Sequence, residues 1–217
     1  MIDITEKTSP FHETLEEASR YFEGTGRVLL TADRLDAELR SRNIDYVIVG
    51  AIALRAHGYS RYTENLDIVL TNDGFQRFKK ELLGRGPWGL AGYDSIPETA
   101  KTVCSYPEMA VVKFRIAGEY PGDGKLKPVS FPNPADASIE IEGVNFATLE
   151  KLIELKLASG MTAPDRLKDL ADVQELIKVK HLAEDFADKL NPYVQGKYLE
   201  LWNAVQSGSS NTFEEQS

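Results

Sequence analysis

The chain has a single cysteine, Cys104, in 217 residues, so no intrachain disulfide can close. A reducing compartment, the cytoplasm, is the expected home. Cys104 sits between Val103 and Ser105 in a strand-like run and reads as a small buried filler rather than a reactive thiol. Long apolar runs are also missing. The best, Tyr46–Val49 with Gly50–Leu54 behind it, meets charge at Arg55, too early to cross a bilayer. The N-terminal stretch carries Asp3, Glu6 and Glu13 where a secretion signal would be basic and then apolar, so no signal is expected. Positive charge is scarce: 25 Lys and Arg against 34 Asp and Glu give a formal net charge of −9, with a pI of about 5.0. That balance excludes the basic footprint of a general nucleic-acid binder and leaves room only for a local basic cleft. Hydrophobic residues at 42% and charged residues at 27% exclude a disordered or collagen-like chain. No internal repeat is present.

Helical spacing marks residues 11–23, with Phe11, Leu15, Ala18, Tyr21 and Phe22, and then Val28 to Arg42, stopped at Asn43. The run 46–50 reads as a buried strand ending in glycine. Residues 51–58 suit a short helix closed by Gly58, and 66–70 a second strand. Thr71, Asn72 or Asp73 is placed to cap a helix through about Leu83, followed by a glycine-rich loop at 84–92. Strands are expected at 101–105, 110–117 and 138–143, the last half exposed, with a Gly- and Pro-rich loop at 118–137. From Thr148 the pattern turns helical: 149–160, a second helix opened by Pro164, then about 181–190 and 193–206. The expected division is 1–145 as a strand-bearing core with N-terminal helices, 146–206 as a C-terminal helical part, and 207–217 as a disordered tail.

Residues 47–70, VIVGAIALRAHGYSRYTENLDIVL, carry the most information. A strand ends at Gly50. The small pair Gly50-Ala51 lets the backbone approach a bound group, and the helix start behind it offers N–H donors suited to a phosphate. Asn65 and Asp67 lie two apart on the next strand and so share a face. Carboxylates at that spacing, beside a phosphate turn, suit a divalent metal.

This stretch resembles the signature of the nucleotidyltransferase superfamily of the DNA polymerase beta type. More narrowly, it is similar to small bacterial nucleotidyltransferase-like proteins grouped with abortive-infection toxins and minimal nucleotidyltransferases. The matching residues are Gly50-Ala51, Ala53, Gly58, Arg61, Thr63, Asn65 and Asp67, followed by segments 114–125, 149–160 and 166–178. The resemblance spans roughly residues 40–180. It implies an α/β (α+β) fold: a small mixed, twisted sheet with flanking helices and a C-terminal helical part. It also implies transfer of a nucleoside monophosphate from a nucleoside triphosphate (NTP) to an acceptor, using Mg²⁺ held by three carboxylates.

By position, those carboxylates fall at Asn65, Asp67 and Lys113. Asn65 brings no charge and Lys113 brings the wrong sign, which leaves Asp67 as a weak metal ligand at best. A lysine about 5 Å from Mg²⁺, at an effective dielectric of about 20, repels it by about 6–7 kcal/mol. Glu64, Glu119, Asp123 and Glu140 are the acids that could compensate. Strand register puts Arg115 on the face of Lys113, so Asp67 reads either as a ligand or as the ion-pair partner of Lys113 or Arg115. Arg61 either holds the loop or binds phosphate, and His57 caps or packs the short helix.

In the resembling family, a lysine at the place of Lys156 reaches nucleotide phosphates and an acid at the place of Asp169 supports it. The plainer reading is a helix–helix salt bridge beside Leu152, Leu155, Leu167, Leu170 and Val173, with Asp172 sharing the role. Tyr193, Tyr198 and Trp202 read as core or as a surface for a protein partner. Two functions follow: a nucleotidyltransferase using Mg²⁺ and NTP, or a degenerate relative that binds a nucleotide, without metal if need be, or a partner protein.

Overall fold

The computed structural model describes residues 10–83, 88, 102–103 and 109–214. Cys104, the 84–92 loop apart from Trp88, and residues 215–217 lie outside them. Two helices, α1 (Pro10–Glu23) and α2 (Arg27–Arg40), precede β1 (Tyr46–Val49), a strand buried at every position. Asn43 takes a left-handed φ of 51° and ends the α2 region, as its side chain allows. The chain then forms α3 (Gly50–Ala56), β2 (Asn65–Leu70) and α4 (Asn72–Glu81). Of the three residues expected to cap α4, Thr71 does so: its hydroxyl accepts from the Gly74 N–H.

Strand β3 (Thr102–Val103) pairs with β4 (Val111–Ile116), and β5 (Ser138–Ile141) forms a hairpin with β6 (Val144–Ala147). The order β3-β4-β2-β1-β6-β5 makes one mixed sheet. Strand β2 runs antiparallel to β1 and parallel to β4, so Asp67 lies between Val49 and Lys113. Helices α5 (Leu149–Thr162), α6 (Leu167–Lys180) and α7 (Pro192–Glu214) complete the fold. One cluster of buried apolar side chains runs from Tyr21 to Val205 through sheet and helices alike.

Some elements depart from expectation. Strand β6 pairs parallel with β1 and places the boundary expected near 145 inside the sheet. The two-residue turn Glu142-Gly143, with φ of 52° and 85°, is what returns the chain into it. The apolar stripe of α1 is mostly exposed at Phe11, Leu15 and Phe22, while Glu17 is buried. The Glu17 carboxylate accepts from the Arg27 N–H at 2.6 Å and so caps α2, which Gly26 cannot do with a side chain. Residues 184–189 form a 3-10 helix in place of an α-helix. Helix α7 runs on to Glu214 rather than stopping near 206, because extending a formed helix costs far less than starting one.

Candidate functional site

Strands β1, β2 and β4, the start of α3, the loop after β4, and helices α5 and α6 with the turn between them line an open cavity of ≈ 280 Å³. Gly50, Asp67, Lys156 and Asp169, drawn from four separate segments, all line it. Gly50 has a φ of +72°, and a Cβ there would lie 3.0 Å from Oδ2 of Asp67. Only glycine suits both the conformation and the closeness. The far wall is the loop of Tyr120, Pro121, Gly122 and Phe131. Gly122 (φ +71°) packs so tightly on α5 that a Cβ would meet Oγ1 of Thr162 at 2.3 Å.

Asp67 is held by Arg115. Nε and Nη2 of the arginine both donate to Oδ1, at 3.2 and 2.9 Å. Of the two cations expected to face Asp67, Arg115 is the one bonded to it and lining the cavity. Lys113 is the strand neighbour of Asp67 yet does not line the cavity.

Between α5 and α6 lies a buried ionic network. Lys156, 5% exposed, donates from Nζ to Oδ1 of Asp169 at 3.1 Å and to Oδ2 of Asp172 at 2.6 Å. The Ser159 hydroxyl and Nε of Arg166 both donate to Oδ2 of Asp169, at 2.7 and 2.9 Å. Arg61 grips Asp172 with Nε and Nη2, at 2.7 and 2.9 Å. Burial pushes the Asp169 carboxyl up, but Lys156, the Ser159 hydroxyl and Arg166 together outweigh it and hold the group below its ordinary value. Such charges can leave water only because each is paired and hydrogen-bonded.

The other expected site residues lie elsewhere. Ala51, Arg61, Thr63, Asn65 and Lys113 do not line the cavity. Arg61 joins it indirectly, through Asp172. The Thr63 hydroxyl accepts from the Asn65 N–H at 3.4 Å, a local turn. Glu64, Glu119, Asp123 and Glu140 stay outside the cavity as well, with Asp123 bonded to Lys127 and Glu140 to Arg40. Ser159, Asp165 and Arg166 line it and were not anticipated. Two of them had a legible signal: Ser159 lies three residues after Lys156, and Arg166 three before Asp169, a spacing that puts side chains on one helix face.

The Nε2 of His57 lies 2.7 Å from the Ala147 carbonyl, and burial lowers the affinity of its ring for a proton. Tyr198 and Trp202 donate to the carbonyls of Ala183 and Leu182, so these aromatics are packing groups.

Asp67 is neutralised by Arg115, and Asn65 lies outside the cavity. No group of three His, Cys, Asp or Glu side chains among the described residues is placed to share an ion. No helix among the described residues is long and apolar enough to cross a membrane.

No family model and no curated protein matches the chain. Among solved structures, it is similar to ANT(2'')-Ia in complex with adenylyl-2''-tobramycin, at 16% identity over 80% of this chain and 93% of that one, with a TM-score of 0.44. It is similar to JHP933 from Helicobacter pylori at 16% identity, over 94% of this chain and 99% of that one, with a TM-score of 0.44. A third likeness is to an antigenic nucleotidyltransferase-like protein from Paracoccidioides brasiliensis, at 19% identity over 68% of this chain and 73% of that one, with a TM-score of 0.40.

Proposed function

We propose that this chain is a nucleotidyltransferase-like protein that binds a nucleoside triphosphate in the cavity between β2 and α5. We further propose that its ancestral activity, transfer of a nucleoside monophosphate to an acceptor, is crippled by loss of the metal ligands. One observation carries the reading. Gly50 and Asp67 of the strand–turn–strand segment, and Lys156 and Asp169 implied by the family resemblance, line a single cavity. The Gly50 turn brings the backbone close to Asp67, and Lys156 is fixed by two carboxylates. Against transfer stands Arg115, whose guanidinium occupies the carboxylate that a metal would need.

The test is a calorimetric titration of ATP into the full chain, run beside an assay for label transfer to protein and RNA acceptors. Binding that depends on the nucleoside, with no transfer above background, is the expected result. Mg²⁺-dependent transfer that disappears in Asp67→Ala would show an intact enzyme instead. An absence of nucleoside-dependent binding would remove the nucleotide reading altogether.

A further inference from the structure

We propose that the cavity takes the phosphate groups of its ligand on the terminal guanidinium nitrogens of Arg166 and on Nη1 of Arg115, without a divalent ion, and that Lys156 is a positioning residue for Arg166. The phosphate site stands on the geometry below, and only the identity of the attached nucleoside rests on the nucleotide reading. Arg115 spends Nε and Nη2 on one oxygen of Asp67, which leaves Nη1 with no hydrogen bond to the described residues. Arg166 spends only Nε, on Asp169 and at 3.4 Å on Ser159, which leaves both terminal nitrogens. Both side chains line the same cavity and keep substantial exposure, 39% and 38%. A guanidinium presents paired N–H donors whose spacing matches two phosphate oxygens, a fit a lysine cannot copy.

Lys156 is badly placed for the same task. Its side chain is 6% exposed, and two carboxylates already claim it. Its part is to hold Asp169, which in turn holds Arg166. Within this network the cations Arg61, Lys156 and Arg166 face the anions Asp169 and Asp172, three against two. Arg115 and Asp67 cancel each other. Asp165 also lines the cavity and offsets that difference, so the preference for phosphate rests on the unspent N–H donors rather than on an excess of positive charge.

A divalent cation entering this cavity meets arginines and a carboxylate already claimed. A divalent ion riding on the polyphosphate would also withdraw the negative charge that the arginines attract. Free polyphosphate is therefore the better ligand, and its Mg²⁺ complex the worse one.

Calorimetry of the full chain with inorganic tripolyphosphate and with ATP, each in excess EDTA and in excess Mg²⁺, tests this. Both ligands are expected to bind in EDTA, with Mg²⁺ weakening them about tenfold or more. Arg115→Gln and Arg166→Gln are each expected to weaken tripolyphosphate about tenfold, and Arg166→Lys nearly as much, because charge survives but the fork does not. Binding of ATP only in the presence of Mg²⁺ overturns the inference and leaves the nucleotide reading standing. Binding of tripolyphosphate as tight as that of ATP upholds the inference and removes the nucleotide reading. No binding of either ligand, or binding untouched by both glutamine variants, overturns the inference. The Mg²⁺ comparison uses the natural chain, so it decides even if a variant fails to fold.

Discussion

Replacing Lys156 by methionine keeps an unbranched side chain one atom shorter and removes the charged ammonium with its hydrogen-bond donors, which isolates the ionic network between α5 and α6. Two carboxylates then lose their shared partner: Asp169 at 3.1 Å and Asp172 at 2.6 Å, both 2% exposed. Breaking a buried ion pair by removing one member costs about 3–5 kcal/mol, because the other charge is left in a poor solvent. Arg61 still holds Asp172, and Ser159 and Arg166 still hold Asp169, so the lower end, about 3 kcal/mol, is expected. The cost should depend on pH with a definite sign. In the natural protein the folded Asp169 carboxyl is held below its ordinary value, so it adds stability above about pH 4 that is lost as pH falls through its folded value. In Lys156→Met burial still raises that group while its chief counterweight is gone, so this contribution shrinks or reverses. The gap between the two proteins is therefore widest at about pH 7 and closes in acid. Urea unfolding followed by circular dichroism at several pH values measures it. A penalty under about 1 kcal/mol at neutral pH, or one that does not narrow in acid, would refute the account of the network as mutually dependent charges.

Gly122→Ala forces a Cβ to within 2.3 Å of the Thr162 hydroxyl oxygen and 2.9 Å of the Ser159 carbonyl, at a φ of +71°. A loss of about 2 kcal/mol or more is expected in urea unfolding, together with a changed environment for the cavity wall. His57 should make stability fall in mild acid. Its folded ring binds protons less readily than the unfolded one, so its contribution is complete above about pH 6.5 and fades as pH drops below that. The variant His57→Gln should flatten the urea midpoint between about pH 5 and 7. Thr148→Ala removes the hydroxyl that accepts from the Lys151 N–H at the start of α5, and a loss of about 1 kcal/mol in the same assay is expected.

Much of the fold was legible because its signals are local. The buried strand at 46–49, the glycine that turns it into α3 and the Thr71 cap each depend on a few adjacent residues, whereas Pro164 opens a 3-10 turn and α6 itself starts at Leu167. Strand β6 was not legible, since four residues of mixed character become a strand only by pairing with β1 and β5. The apolar stripe of α1 misled for a related reason: the buried Glu17 is explained only by the α2 terminus it serves.

In the site, residue type and spacing led to Gly50 and Asp67, and the family resemblance to Lys156 and Asp169. The choice between Lys113 and Arg115 turned on reach. Lys113 starts beside Asp67 on the neighbouring strand, but the longer, forked Arg115, starting opposite Val69, is the side chain that bonds the carboxylate. Sequence spacing places a Cα; it does not say where a long side chain ends. The cavity wall at 120–122 and 131 was beyond reach too, because a loop's path is set by contacts with α5 that leave little trace in the loop itself.

The clasp between Arg61 and Asp172 joins positions 111 residues apart, one on the loop before β2 and the other on α6. Contacts of such range close late, since the chain between them must be ordered before they repay its lost entropy. Phosphate affinity should therefore emerge in refolding only with the last kinetic phase, well after helical signal has returned. A fragment ending before α6 would lack Asp169 and Asp172 and also the core residues Val173, Leu176 and Ile177, so none of that affinity should appear in it.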